Sequence, residues 1–122
     1  MKFEIPGTLP GLNEIIREAK THYREYHKMK KYYTELVVLC IKKARLKKCD
    51  CQIDIHVTWY CPNKRKDKDN IIAGIKFILD GLQGAGIIKN DNWKHIGDIK
   101  HRLIVDVENP RIEVELKEVQ DV

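Results

Sequence analysis

The chain has 122 residues, of which 43% are hydrophobic and 34% charged, and its formal net charge is +5. That length suits a single domain over residues 1–122, with one core and no room for a second. No apolar stretch approaches a membrane span, and the opening MKFEIPGTLPGLNE lacks the long apolar centre of a secretion signal, so no membrane contact and a cytoplasmic setting are expected.

The first predicted element is a short strand at KFEI, stopped by Pro6 and Gly7. Pro10 and Gly11 then break the chain, and residues 13–20 read as a loop with a helical turn. A longer helix follows over residues 28–47, where Tyr32, Tyr33, Leu36, Val37, Leu39, Cys40 and Ala44 recur at three- and four-residue steps. The basic residues gather in this part. Residues 17–48 hold eleven Lys or Arg against three Glu, whereas residues 106–122 hold six acids against two bases. A basic surface of this kind fits a polyanionic partner or a solvated helix face, and charge alone does not choose between them.

The segment CQIDIHVTWY alternates cleanly, with Ile53, Ile55, Val57 and Trp59 on one side of a strand that Pro62 and Asn63 end. A second helix is predicted over residues 69–83, with Ile72, Ile75, Ile78, Leu79 and Leu82 as its apolar stripe. The glycines of GLQGAG follow this helix, so they end it and do not cradle a phosphate. Two further strands are expected, one within residues 96–107 and one over residues 111–116, joined as a hairpin through Asn109 and Pro110. The order β-α-β-α-β-β predicts an α/β (α+β) two-layer sandwich, a mixed sheet covered by helices. Cys40, Cys49, Cys51 and Cys61 lack the paired spacing of a zinc site and read as reduced core or strand residues.

The unusual stretch is KRKDKDN, residues 64–70, which interrupts a basic run with Asp67 and Asp69 just before the second helix. Helix capping accounts for one aspartate. Two carboxylates separated by one residue can also converge on a hard divalent cation, since Mg²⁺ takes one or two protein carboxylates with water and substrate phosphate. Asp91, after the glycine turn, is the available third acid, provided the next strand lies beside CQIDIHVTWY. Caps and turn residues remain the alternative.

The run CPNKRKDKDN followed by KFILDGLQGAGIIKNDN resembles the RusA-type Holliday junction resolvases, small dimeric endonucleases. Their pattern is a basic patch after a strand, Asp-x-Asp-Asn opening a helix that carries a lysine, a Leu/Phe-Asp-Ala/Gly-Leu segment, and an Asp after a glycine turn. LPGLNE is similar to the family's Pro-rich segment near the N-terminus. The resemblance implies that Asp67, Asp69 and Asp91 bind Mg²⁺ with Asn70 in support. It also implies a helix lysine at the site. Family members place it four residues after the second aspartate, where this chain has Ala73, so Lys76, seven residues after Asp69, is the candidate.

The implied activity is Mg²⁺-dependent hydrolysis of DNA phosphodiesters at four-way junctions, with two symmetric nicks made by a homodimer. Lys64, Arg65, Lys66 and Lys68, with Lys30 and Lys31 on the first long helix, would hold the DNA backbone. Tyr23, Tyr26 and Tyr32 would reach unstacked bases or serve as core and interface residues. The alternative from another class is a non-catalytic DNA-binding module using the same basic surface, which would tolerate Asp67→Asn.

Overall fold

A computed structural model describes residues 1–119. The chain runs β1 (Lys2–Pro6), α1 (Leu12–Thr21), α2 (Tyr23–Lys43), β2 (Ile53–Cys61), α3 (Lys68–Ile72), α4 (Ile75–Gly84), β3 (Ile96–Val105) and β4 (Arg111–Glu118). Asp121, counted above in the acidic C-terminal segment, lies outside the described residues.

The alternation in β2 makes it an interior strand. The sheet order is β1-β4-β2-β3, with β2 antiparallel to β4 and parallel to β3, and β4 antiparallel to β1. Ile53, Ile55, Val57 and Trp59 line up with Phe3, Ile5, Ile112, Val114 and Leu116 under the helices, and all are buried. Val37 and Ile41 of α2 and Phe77, Ile78 and Leu82 of α4 close the core from above. Each such side chain contributes about 1.5–3 kcal/mol by leaving water. The opposite face carries His56, Thr58, Lys100, Arg102, Glu113 and Glu115, so helices cover one side only. The expected two-layer sandwich with a mixed sheet is therefore the observed fold.

The family-like segment LDGL has a packing reason. A Cβ at Gly81 would stand 2.3 Å from Val37 Cγ1, so glycine lets α4 approach α2 closely. Among the described residues the four cysteines are free, with Cys49 and Cys61 buried. Burial, with the Glu118 carboxylate beside it, pushes the Cys49 thiol up to about 11.

The structure differs from expectation in its local elements. Residues 12–21 form a whole helix, because Pro10 and Gly11 precede it and Leu12, Ile15 and Ile16 supply a 3.6-residue stripe. After the extended elbow at His22, α2 begins at Tyr23 and ends at Lys43, earlier than the predicted residues 28–47. The predicted helix over residues 69–83 is two helices. Between them Gly74 N, Lys76 N and Phe77 N bond three residues back, to Ile71, Ala73 and Gly74.

Finally, β3 and β4 are not a hairpin. They flank β2 on opposite sides, and residues 106–110 pass over its end, where Asp106 N donates to Cys61 O at 2.8 Å. The burial of Ile112, Val114 and Leu116 draws β4 inside, while the polar sequence GDIKHR leaves β3 at the edge.

Candidate functional site

The run from Lys64 to Asn70 leaves the C-terminal end of β2. Asn63 Oδ1 accepts the Arg65 backbone N–H at 2.9 Å, which turns the chain back toward α3. Asp67 takes the N-cap position of α3 in extended geometry but makes no side-chain capping bond, and Asp69 lies in the first turn. No ion pair among the described residues involves Asp67, Asp69 or Asp91. Capping therefore leaves the Asp67 carboxylate available, although Arg65, Lys66 and Lys68 surround it in sequence.

Helix α1 supplies the facing wall. Asn70 Oδ1 accepts the Asn13 N–H at 3.1 Å, capping α1 from outside its own segment. A Cβ at Gly11 would lie 2.5 Å from the same oxygen, so the contact requires glycine there. Lys66 Nζ pairs with Glu14 across the gap. Together Asn13, Glu14, Arg17, Arg65, Lys66, Asp67, Asp69 and Asn70 line a cleft of about 510 Å³. A groove of about 610 Å³ opens beside it, where Lys64, Lys66, Asp67 and Lys68 face Leu103 and Val105 of β3.

Sequence reasoning missed Asn13, Glu14 and Arg17 as cleft residues. The available signal was LPGLNE, whose purpose becomes visible once Asn70 is seen to hold it.

Other expected residues lie elsewhere. Because β3 runs parallel to β2, α4 must travel back along the sheet, and Asp91 emerges at the opposite end. Its turn is anchored there by Gln52 Nε2, which donates to Trp93 O at 2.9 Å. The length of β2, roughly 25–30 Å at strand rise, separates it from Asp67 and Asp69. The proviso that β3 lie beside β2 is met, but in the direction that parts the acids.

Lys76 is also outside the cleft, with Nζ 3.8 Å from Asp80 Oδ2. Three-residue hydrogen bonding between α3 and α4 adds about 20° of turn per residue, about 60° over three residues, so Lys76 is turned from the position it would hold relative to Asp69 on one continuous helix. Lys30, Lys31, Tyr23 and Tyr26 belong to α2 and line neither the cleft nor the groove, while Tyr32 lines a hollow between α1 and α2.

Among the described residues no three His, Cys, Asp or Glu side chains gather to hold a metal. The donors that do share the cleft, Asp67 and Asp69, are hard oxygens and suit a Mg²⁺ ion that needs only one or two carboxylates from a chain.

Among known proteins, the family model described as Endodeoxyribonuclease RusA matches residues 6–117. No curated protein matches the chain.

Proposed function

The chain belongs to the RusA endodeoxyribonuclease family, and from that premise we propose a Mg²⁺-dependent endonuclease that resolves four-way (Holliday) DNA junctions by paired, symmetric phosphodiester hydrolysis. The observation that carries this reading is the pair Asp67 and Asp69, carboxylates without ion-pair partners among the described residues, in a cleft rimmed by Arg17, Arg65 and Lys66. A purely electrostatic DNA clamp has no use for unneutralised acids in its centre, because they repel the phosphates it must hold. A site that cuts the backbone does.

Mg²⁺ held by Asp67 and Asp69 supplies Lewis-acid stabilisation of the charge that builds on the phosphoryl oxygens. The remaining work falls to the chain. Lys64, Arg65, Lys66 and Lys68 bind the flanking phosphates, and Lys30 and Lys31 meet a DNA arm further along α2. Asn70 fixes the position of α1 and so keeps the cleft open at a set width. Lys76 stabilises the developing negative charge once its pairing with Asp80 opens.

The position of Asp91 supports a homodimer. One chain holds Asp91 at the far end of the sheet. Two copies packed on β3 about a two-fold axis run their β3 strands in opposite directions, which brings each Asp91 turn to the other's cleft. The helix side of β3 is fitted for this, since Ile99 and Val105 are 37% and 41% exposed where no helix covers them. Such a dimer has two sites, matching the two strands a junction needs cut.

One experiment tests both parts. A synthetic four-way junction is incubated with Mg²⁺ or with chelator, using Asp67→Asn chains, Asp91→Asn chains, or the two refolded together. Each variant alone is inactive. The mixture regains one intact site per mixed dimer and nicks the junction, only with Mg²⁺. Mixed dimers that form but stay inactive would place Asp91 in its own chain's site, and cutting in chelator would remove the metal from the account.

A further inference from the structure

Beside the acidic cleft lies a second, smaller hollow of about 290 Å³ that the cutting chemistry does not use. Its walls are Leu9, Trp59, Pro62 and Ile71, and Arg65 and Lys66 stand at its mouth. Leu9 and Trp59 are buried core residues, so this floor is rigid. The two hollows share Arg65 and Lys66, so they are neighbouring chambers with one cationic lip. Arg111 also borders the hollow, but its charge is already taken by Asp106 and Glu113, and its guanidinium lies 3.7 Å over the Tyr60 ring.

An apolar hollow with cations at the lip suits a group that is flat and uncharged but attached to a phosphate. Its volume is at the low end of the roughly 300–1,000 Å³ of ligand pockets, enough for one ring system. We propose that this hollow receives an unstacked nucleobase of the strand being cut, in the nucleotide next to the scissile phosphate. The inference rests on the nuclease reading only for the position of that phosphate.

Three features support the assignment. A phosphate at the shared lip is held by Arg65, which has no ion pair among the described residues, and by Lys66 once it leaves Glu14, which puts its own base within reach of the hollow. Bases at the crossover of a four-way junction are the least costly to unstack, because their stacking is already interrupted. The walls offer apolar contact at Leu9, Pro62 and Ile71, with Thr8 and Asn63 at the border, so the pocket reads the presence and size of a base more than its hydrogen-bonding edge.

The test uses the wild-type chain in chelator, so that bound junctions stay uncut, with 2-aminopurine placed in turn at each position near the crossover. Emission changes several-fold on binding at one nucleotide per strand and little at its neighbours. Thr8 is exposed and borders the hollow, so Thr8→Trp fills it from outside without touching the core. That variant still binds the junction through its cations and abolishes the signal. A matching substrate with an abasic site at the same nucleotide is cut at least tenfold more slowly by the wild type and no more slowly by Thr8→Trp than the intact junction is. Tight binding with no responsive position, or an abasic scan that leaves the rate flat, overturns the inference while leaving the nuclease intact. A responsive position with no cutting under any Mg²⁺ condition would uphold the pocket and overturn the nuclease. Should Thr8→Trp fail to fold, the emission and abasic scans on the wild type decide the matter.

Discussion

Acids and bases crowd together in two places at the C-terminal end of β2, and they are used in opposite ways. Around Arg111 they cancel. The guanidinium donates to Asp106 at 2.9 Å and to Glu113 at 3.2 Å, lies 3.6 Å from Glu4, and covers Tyr60. That bond, reinforced by the Asn109 N–H, holds the Asp106 carboxyl below the usual carboxylate range. The cluster ties the crossover between β3 and β4 to the sheet. Around Asp67 the carboxylates stay unspent: among the described residues neither Asp67 nor Asp69 keeps an ion pair, although four cations share their seven-residue stretch and one of these, Lys66, turns to Glu14 instead. Neutralised charge builds the fold at this end of the sheet, and unneutralised carboxylates remain in the cleft.

Substitutions on either side sharpen the contrast. Lys76 belongs formally to the spent group through Asp80, yet it is assigned a part in the chemistry. Lys76→Ala should lower the single-turnover cutting rate on the order of a hundredfold with little change in junction affinity. If the rate is untouched, Lys76 serves only Asp80, whose Oδ2 has no other partner.

Arg111→Ala should do the reverse. The thermal midpoint falls by about 5 °C as three carboxylates lose their partner, while cutting below that midpoint stays near the parental rate. Loss of cutting without loss of stability would move Arg111 into the site and blur the distinction.

The smallest effect concerns His101, whose Nδ1 accepts the Trp59 indole N–H at 2.9 Å. Burial lowers its pKa below the ordinary value of about 6.5. The unfolded chain therefore binds more protons than the folded one just below that value. Stability is full above it and is lost as pH falls through it toward the folded pKa. The thermal midpoint should drop modestly between about pH 7.5 and about pH 5.5, and His101→Gln should flatten that dependence, while an unchanged slope would assign it to another group.

Much of this was legible in residues 1–122. The alternation of β2 names its buried face directly, whereas the stripe read for α2 is only partly right: Val37 is buried, but Tyr32 and Leu39 are exposed and Ile41, outside that stripe, is buried. The Asp-x-Asp-Asn run drew attention to the candidate cleft. Strand direction was not legible, because the same β-α-β order permits β3 on either side of β2 and in either sense. That single unknown decided whether Asp91 joins Asp67 in one chain. The break at Gly74 was hidden for a related reason: Ile72, Ile75, Ile78 and Leu82 keep helical spacing across it, although the hydrogen bonds switch to three-residue steps. LPGLNE was visible as a motif, but its role depends on Asn70, 57 positions away from Asn13.

The central claim is that the unspent carboxylates of the cleft cut the DNA that the surrounding cations hold. The most direct measurement is to follow junction binding and junction nicking side by side for the wild type and Asp69→Asn, with and without Mg²⁺. Binding should be nearly equal for both proteins, and nicking should fall by at least a thousandfold in the variant. An Asp69→Asn chain that nicks at the parental rate would contradict the account.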